Sequence, residues 1–330
     1  MAPQAIARTG WIWMFLLIGI GAGCQPDKPG SNTPPAQPAV QQASVPEFQA
    51  DSAYAYIERQ LAFGPRVPNT AGHTGCAQWL VTQFRAFGAE VSTQPAVVTA
   101  FDGTRLNMQN IIASYNPASR DRILLTAHWD TRPFADAGTE RRNQPIPGAN
   151  DGGSGVAVLL EMARQLGKQA PAIGVDIILW DAEDYGNPDV ADSYCLGSQY
   201  WASSKHKPGY SARYGINLDM VGASGATFLK EGNSMQYAGH VVSKIWNTAQ
   251  RLGYGTYFSS QRANAVIDDH FYMATKGGIP TANIIDQRLG EGFFPYWHTH
   301  QDDLQAISRE TLKAVGQTVL EVVYREQPAQ

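Results

Sequence analysis

The chain has 330 residues, of which 43% are hydrophobic and 16% charged, and its formal net charge at pH 7 is −4. This composition is that of an ordinary globular protein with one large core or two modest ones. The slight acidity gives no reason to expect nucleic acid or an anionic membrane surface as a partner. Only three cysteines occur, which excludes a disulfide-stapled domain.

The N-terminus predicts a targeting segment. Arg8 precedes an apolar run over residues 11–22, which is too short to span a bilayer comfortably, since about 20 residues are needed. The run ends in Gly21-Ala22-Gly23-Cys24, which resembles the cleavage box of a bacterial lipoprotein. We therefore expect residues 1–24 to be a lipoprotein-type signal peptide that leaves Cys24 lipidated, with plain secretion as the alternative. Either outcome exports the protein to the periplasm or cell envelope.

Residues 25–48 are rich in Pro, Gln, Ser, Ala and Asn and contain little that is apolar. This composition predicts a disordered linker, followed by a folded domain over residues 49–330. In the first part of that domain, hydrophobic periodicity and turn residues predict a helix that begins at Asp51, a second helix, and three strands. The second helix and the strands span residues 74–87, 91–101, 107–115 and 123–127.

A long polar connection over residues 131–149 follows, and loops of this length are often functional. Beyond it, helices alternate with short apolar strands. The helices are predicted after Gly155, over 196–205, over 235–252, just after His270 and over 308–324, and the strands over 175–180, 214–221 and 281–285. This alternation predicts an α/β fold with three α/β/α layers around a central mixed, mostly parallel sheet.

Acidic and histidine side chains recur where the predicted strands end. The run Ile177 to Asp184 reads I-I-L-W-D-A-E-D and stops in three acids, which would repel each other without a cation, partners or a base role. Taken singly, each such residue has an ordinary structural explanation, such as a helix cap or a hydrogen-bond anchor. Together they form a set of oxygen and nitrogen ligands that suits zinc in an open catalytic site. Its members are His128, Asp151, Asp184, Asp219 and His298.

Two further features bear on the chemistry. Glu183 lies beside the candidate ligand Asp184, so it reaches the same cavity without being a ligand, as a general base should. The Gly-rich turn over residues 152–155 lacks the lysine of a phosphate-binding loop. Cys76 and Cys195 are expected to be buried thiols, with a disulfide between them as the alternative.

The order of these motifs resembles peptidase family M28, the zinc aminopeptidases, and within it the bacterial branch of the type II (animal-type) glutaminyl cyclases. The resemblance covers residues 51–324. A tryptophan directly before the last histidine and an Asp-Asp-His run before a helix resemble the cyclases more than the aminopeptidases. The most specific segments are His128-Trp129-Asp130, Ala149-Asn150-Asp151, Trp180-Asp181-Ala182-Glu183-Asp184, Asp268-Asp269-His270 and Trp297-His298-Thr299.

The resemblance implies a site with one zinc ion per chain, bound by Asp151, Asp184 and His298. It implies that Glu183 carries the proton, with Asp219 and Asp268 forming an acidic hydrogen-bonded pair beside it. The implied substrate-binding residues are Trp297, Val266 and His270. Within the acidic end of the run over residues 177–184, Asp181 is expected to support the structure of the turn.

The implied activity is that of a glutaminyl-peptide cyclotransferase, which converts the N-terminal glutamine of peptides or proteins to pyroglutamate and releases ammonia. The main alternative is a two-zinc aminopeptidase, in which His128 and Asp219 would also bind metal and Glu183 would activate water. A non-catalytic exported binding module on the same fold is a third possibility. We expect a monomer that touches a membrane only through a lipid on Cys24.

Overall fold

In a computed structural model of the protein, the described residues are 13–17, 44–290 and 292–329. The chain divides into residues 1–41 and a compact unit over residues 42–330. Cys24 and most of the predicted signal segment lie outside the described residues, so lipidation stays a prediction. Among the described residues, no helix combines the length and the apolar composition needed to cross a bilayer.

A six-stranded mixed sheet forms the centre of the compact unit. The described strands are β1 (Glu90–Thr99), β2 (Arg105–Tyr115), β3 (Arg122–His128), β4 (Gly174–Trp180), β5 (Gly215–Asp219), β6 (Phe228–Lys230), β7 (Phe258–Arg262), β8 (Thr281–Ile285), β9 (Gln287–Arg288) and β10 (Gly292–Phe293). The order in the sheet is β1-β2-β4-β3-β5-β8. Strands β4, β3, β5 and β8 are parallel, whereas β2 runs antiparallel to both of its neighbours, β1 and β4. The predicted mixed, mostly parallel sheet is confirmed.

The helices are α1 (Ala50–Leu61), α2 (Ala71–Ala86), α3 (Ser154–Lys168), α4 (Leu196–Ser203), α5 (Gly232–Arg251), α6 (Asp269–Thr275) and α7 (Arg309–Arg325). Helices α2 and α5 each begin three residues before the predicted start. Their N-caps explain the difference, because the side chains of Thr70 and Glu231 accept hydrogen bonds from the first backbone N–H groups. Glutamate is an unusual cap, so the sequence pattern did not reveal it.

Side chains of β4 alternate between the two faces of the sheet, as strand geometry requires. Ile177 and Leu179 join the main core, which includes residues of α1, α2, α3, α5 and α7. Ile178 and Trp180 face the opposite side and pack with Trp201 of α4 in a second cluster. The sheet is therefore covered by helices on both faces, and the predicted three layers are present.

The domain begins before residue 49, which corrects the predicted linker boundary. Phe48 is only 1% exposed, and its backbone N–H donates to Gln317 Oε1 at 2.8 Å. Its ring lies against Gly316, where an added Cβ would come within 2.2 Å of the ring. Residues 44–48 are therefore packed against the domain, and Phe48 is part of its core. Cys76 and Cys195 are buried and free, as expected.

Candidate active site

The turn after β4 carries the acidic residues that the sequence singled out. Asp181 is buried and supports this turn, as predicted, because its carboxylate accepts hydrogen bonds from the Ala182 N–H at 2.8 Å and the Gln109 N–H at 2.6 Å. Asp130 accepts the N–H groups of Glu183 and Asp184, both at 3.1 Å. The sequence assigned no role to Asp130, although its place two residues after His128 at a strand end was the available signal.

Asp151, Asp184 and His298 converge, and one potential ligand atom of each lies within 4.8 Å of the others. His298 Nε2 is 3.2 Å from Asp184 Oδ1 and 3.7 Å from Asp151 Oδ2. Asp184 Oδ2 is buried and has no hydrogen-bond partner, so it is free to bind a cation. Two carboxylates and one imidazole are a ligand set of catalytic zinc, with room left for a substrate atom. These residues therefore fit zinc.

A second layer of side chains orients the His298 imidazole. Its Nδ1 lies 3.2 Å from Asp136 Oδ1, and Arg132 donates to both oxygens of Asp136, at 2.8 and 2.6 Å. Burial alone would lower the pKa of His298, but Asp184, Asp136 and Asp151 raise it to about 9. The site thus favours a positive charge at this position. A carboxylate behind the ligating imidazole is the usual support of a zinc histidine.

The backbone around Asp151 is held just as tightly. Asp302 accepts the N–H groups of Asn150 and Asp151, at 2.7 and 3.0 Å. Gly152 follows with φ +79°, and a Cβ at this position would lie 2.2 Å from the backbone oxygen of Asp130. Only glycine fits this turn. The Gly-rich segment therefore positions Asp151, and it contains no lysine that could contact a phosphate.

Asp151 also belongs to a second possible metal group, with His128 and Asp219. His128 Nε2 lies 3.1 Å from Asp151 Oδ1 and 3.2 Å from Asp219 Oδ1. Burial and the charge of Asp268 raise the pKa of Asp219 to about 7. One carboxylate placed between two ligand groups is an arrangement that can bridge two metal ions, so the geometry accommodates the two-zinc alternative.

Glu183 lies at the edge of both groups. Burial raises its pKa well above the usual range, and the neighbouring carboxylates of Asp184, Asp269 and Asp268 raise it further. Its Oε2 is 3.8 Å from His128 Nδ1, and the Cys195 thiol donates to its Oε1 at 3.2 Å. A carboxyl group with a raised pKa beside a metal ligand can accept a proton and give it back near neutral pH.

Asp219 and Asp268 both line the cavity but do not form the predicted hydrogen-bonded pair. Asp219 faces His128, whereas Asp268 accepts hydrogen bonds from the side-chain amides of Asn217 and Asn283 at 3.1 and 2.5 Å. The two asparagines are paired in register on β5 and β8. Because these asparagines bind the Asp268 carboxylate, Asp268 and Asp219 have separate hydrogen-bond partners although both line the same cavity.

A cavity of about 180 Å³ opens directly on these groups. Trp297 and Val266 line it, together with Ile267 and Phe293, which the sequence did not single out. The Trp297 ring is stacked on His298, with ring centroids 3.7 Å apart. The volume is below the range of about 300–1,000 Å³ of sites for drug-sized ligands. The cavity therefore suits a single side chain.

His270 lies behind the cavity wall, which corrects its predicted contact with substrate. It is 1% exposed, and its Nε2 lies 2.9 Å from Glu231 Oε2. Glu231 also accepts the Val266 N–H at 2.8 Å, and Asn233 donates to the Val266 carbonyl at 2.7 Å. Both backbone groups of Val266 are thus held by side chains of the α5 N-terminus. Glu231 is the centre of this support.

We expect Glu231→Gln to lower the free energy of unfolding at pH 7 by about 3 kcal/mol, because its pKa falls from 4.5 to about 2 on folding. Burial opposes this fall, and the hydrogen bonds from His270 and Ser234 outweigh burial. An ionised carboxylate with a lowered pKa stabilises the fold fully above its unfolded value of 4.5, and this stabilisation is lost as the pH falls towards 2.

Urea denaturation of the two proteins between pH 7 and pH 3 measures this effect. The gap in unfolding free energy should shrink as the pH falls, and the exposed-residue control Glu140→Gln should unfold as the natural protein does. A gap that stays constant across this range would show that Glu231 does not act through its charge.

Comparison with known proteins places the chain in a family. A sequence model described as peptidase family M28 matches residues 110–323. The glutaminyl cyclase of Tannerella forsythia is 52% identical, with a TM-score of 0.84 over 86% of this chain and 100% of that chain. A Zn-dependent exopeptidase from Parabacteroides distasonis is 51% identical, with a TM-score of 0.85 over the same shares.

Among curated proteins, aminopeptidase YwaD of Bacillus subtilis is 31% identical over 230 residues. The match covers 67% of this chain and 45% of that protein, so the chain spans about half the length of this relative. The family match includes Asp151, Asp184 and His298 and well over half of the chain. The chain therefore belongs to peptidase family M28.

Proposed function

We propose that the protein is a glutaminyl-peptide cyclotransferase with one zinc ion per chain. The main observation behind the proposal is the small apolar-walled cavity. It is lined by the whole ligand group of Asp151, Asp184 and His298, with Glu183 beside them. The identity of 52% to the T. forsythia cyclase over the whole of that chain supports it. The substrates would be peptides or proteins that begin with glutamine.

The cavity would hold the glutamine side chain with its carbonyl towards Asp151, Asp184 and His298. Zinc, when bound there, supplies a Lewis acid that polarises this carbonyl. Glu183 accepts a proton from the α-ammonium group, and the freed amine attacks the side-chain carbonyl carbon. A ring C–N bond forms, the bond to the amide nitrogen breaks, and Glu183 gives its proton to that nitrogen, which leaves as ammonia. The ring nitrogen then gives up its second proton through Glu183 to solvent, which leaves the neutral lactam. No water is consumed.

The walls supply orientation. Trp297, Val266 and Phe293 surround the substrate side chain and hold it folded, so that the amine and the carbonyl stay in contact. Such intramolecular attack gains much of its rate from restricted geometry. The same apolar surface keeps bulk water from the carbonyl carbon, which disfavours hydrolysis to glutamate.

Trp297→Ala should raise KM for a glutaminyl peptide about tenfold or more, because a large aromatic contact area is lost from the cavity. Trp297→Phe, which keeps an aromatic ring on His298, should lose less. The neighbouring Tyr296→Ala is the matched control, since Tyr296 is 39% exposed and does not line the cavity. Steady-state kinetics measure the effect. Equal KM values for Trp297→Ala and Tyr296→Ala would show that Trp297 does not contact the substrate.

An M28 aminopeptidase is the second candidate, and the shared position of Asp151 between two ligand groups favours it. The experiment that separates the two functions is mass analysis after incubation with a peptide that begins with glutamine. Loss of one ammonia with every residue retained supports the cyclase. Release of the first amino acid would establish the aminopeptidase.

We also propose that the protein acts outside the cytoplasm as a monomer, attached to a membrane through a lipid on Cys24. The apolar run over residues 11–22 and the small residues before Cys24 support the export and the lipid anchor. Metabolic labelling with a fatty acid should mark the natural protein and not Cys24→Ser. Equal labelling of both would contradict the anchor.

A further inference from the structure

We propose that Cys195 is a positioning residue for Glu183: its thiol binds one carboxylate oxygen and leaves the other to carry the proton. The inference rests on the proposed role of Glu183 as proton carrier.

The two oxygens of Glu183 have different surroundings. Oε1 accepts a hydrogen bond from the Cys195 thiol, with Sγ 3.2 Å away. Oε2 lies 3.8 Å from His128 Nδ1, on the side of the two ligand groups. Cys195 is fully buried and Glu183 lines the cavity, so the thiol approaches the carboxylate from the protein interior. Oε2 is therefore the oxygen available to the substrate amine.

The backbone fixes the thiol in this place. Cys195 precedes α4 with a left-handed φ of +59°, and its N–H donates to the Glu183 carbonyl at 2.8 Å. The next N–H, of Leu196, donates to the Ala182 carbonyl at 3.1 Å. A Cβ at Gly197 would lie 2.2 Å from the Asp181 carbonyl oxygen, so the two segments are in close contact. These bonds hold the Cys195 backbone beside Glu183, so the thiol lies within hydrogen-bonding reach of its carboxylate.

The chemistry of the thiol fits a donor. Burial raises the pKa of Cys195 well above the usual range, and the charges of Glu183, Asp269 and Asp268 add to this effect. The sulfur therefore keeps its proton and can donate it in a weak hydrogen bond. The thiol holds the Glu183 carboxylate in one rotamer without adding a charge. A side chain fixed in the reactive orientation loses less conformational entropy in the transition state, which raises the rate.

The test compares Cys195→Ala with Cys195→Ser in the full protein with zinc bound, using a glutaminyl peptide. Removing the donor should lower kcat about three- to tenfold with KM changed less than about twofold, because only the alignment of the base is affected. Serine retains a hydroxyl donor and should restore most of kcat. Cys76→Ala is the matched control, since Cys76 is an equally buried thiol and it is Cys195 whose thiol donates to Glu183.

A kcat for Cys195→Ala that equals the natural value would overturn the inference. So would equal losses in the alanine and serine variants, because packing alone would then explain them. If the natural protein released amino acids instead of ammonia, the proposed function would fail and this inference would not. The same variants would then be compared in that hydrolysis, where Glu183 is again the base.

Discussion

Glu183→Gln should lower kcat by about 10³-fold while zinc stays bound, because a positioned general base typically contributes 10²–10⁴-fold. Glutamine has nearly the same shape but cannot accept the proton of the α-ammonium group or return it to ammonia. The ligands Asp151, Asp184 and His298 are untouched by the change. The zinc content should therefore match that of the natural protein. The thermal unfolding midpoint should be no lower, because burial disfavours the ionised carboxylate that glutamine replaces.

The pH profile gives a second measure of the same role. Burial raises the pKa of Glu183 well above 4.5, so the rising limb of activity should lie above that pH and disappear in Glu183→Gln. Glu140→Gln, which changes an exposed glutamate, serves as the control and should behave as the natural protein does. Loss of zinc in Glu183→Gln would show that Glu183 is a metal ligand. Near-normal turnover would show that another residue transfers the proton.

His298→Ala should lose both the zinc and at least about 10²-fold in kcat, whereas His128→Ala should keep one zinc and lose at most about tenfold. His298 closes the group with Asp151 and Asp184, and its imidazole is already oriented by Asp136. His128 closes only the second group. The two variants are matched, because each removes one buried histidine from a candidate ligand set that contains Asp151.

Metal content after dialysis, measured together with turnover, separates the one-zinc site from the two-zinc site. In the aminopeptidase alternative both histidines bind metal, so both variants would lose metal and activity. A natural protein that retains two tightly bound zinc ions per chain would contradict the one-zinc proposal in the same experiment. One zinc in the natural protein and in His128→Ala, with none in His298→Ala, is the expected pattern.

Much of this site is visible in the sequence because parallel strands deliver their C-terminal residues to one edge of a sheet. The ends of β3, β4 and β5 carry His128, the Glu183–Asp184 turn and Asp219, and all of them lie close together in the structure. The role of Asp181 in the turn could be predicted too, since a buried acid at a strand end must find donors.

The supporting side chains could not be predicted in the same way. Arg132 and Asp136 lie in the long connection over residues 131–149, whose path no periodic pattern describes. The partners of Asp268 depend on the register of β5 and β8, which pairs Asn217 with Asn283 and which spacing along the chain does not reveal. His270 lies two residues after the cavity-lining Asp268 in the sequence, yet on the first turn of α6 its side chain contacts Glu231.

The short pairs β6–β7 and β9–β10 were not predicted. Strands β6, β9 and β10 have only two or three residues, and β7 reads F-S-S-Q-R, which lacks an apolar pattern. Strands β6 and β7 pair beside the N-terminus of α5, where Glu231 lies. The cavity wall at Val266 and Ile267 follows β7 directly. The unpredicted part of the fold is thus the part that shapes the substrate side of the cavity, while the predicted part holds the metal side.

The measurement that tests the central claim most directly is turnover of a glutaminyl peptide in water enriched in ¹⁸O. Cyclisation breaks the amide by attack of the substrate's own amine, so the pyroglutamyl product should contain no ¹⁸O and should be lighter than the substrate by one ammonia. Hydrolysis of the first peptide bond, or of the side-chain amide, would place ¹⁸O in a product carboxylate. An unlabelled cyclic product is the result we predict, and a labelled product would contradict the cyclase account.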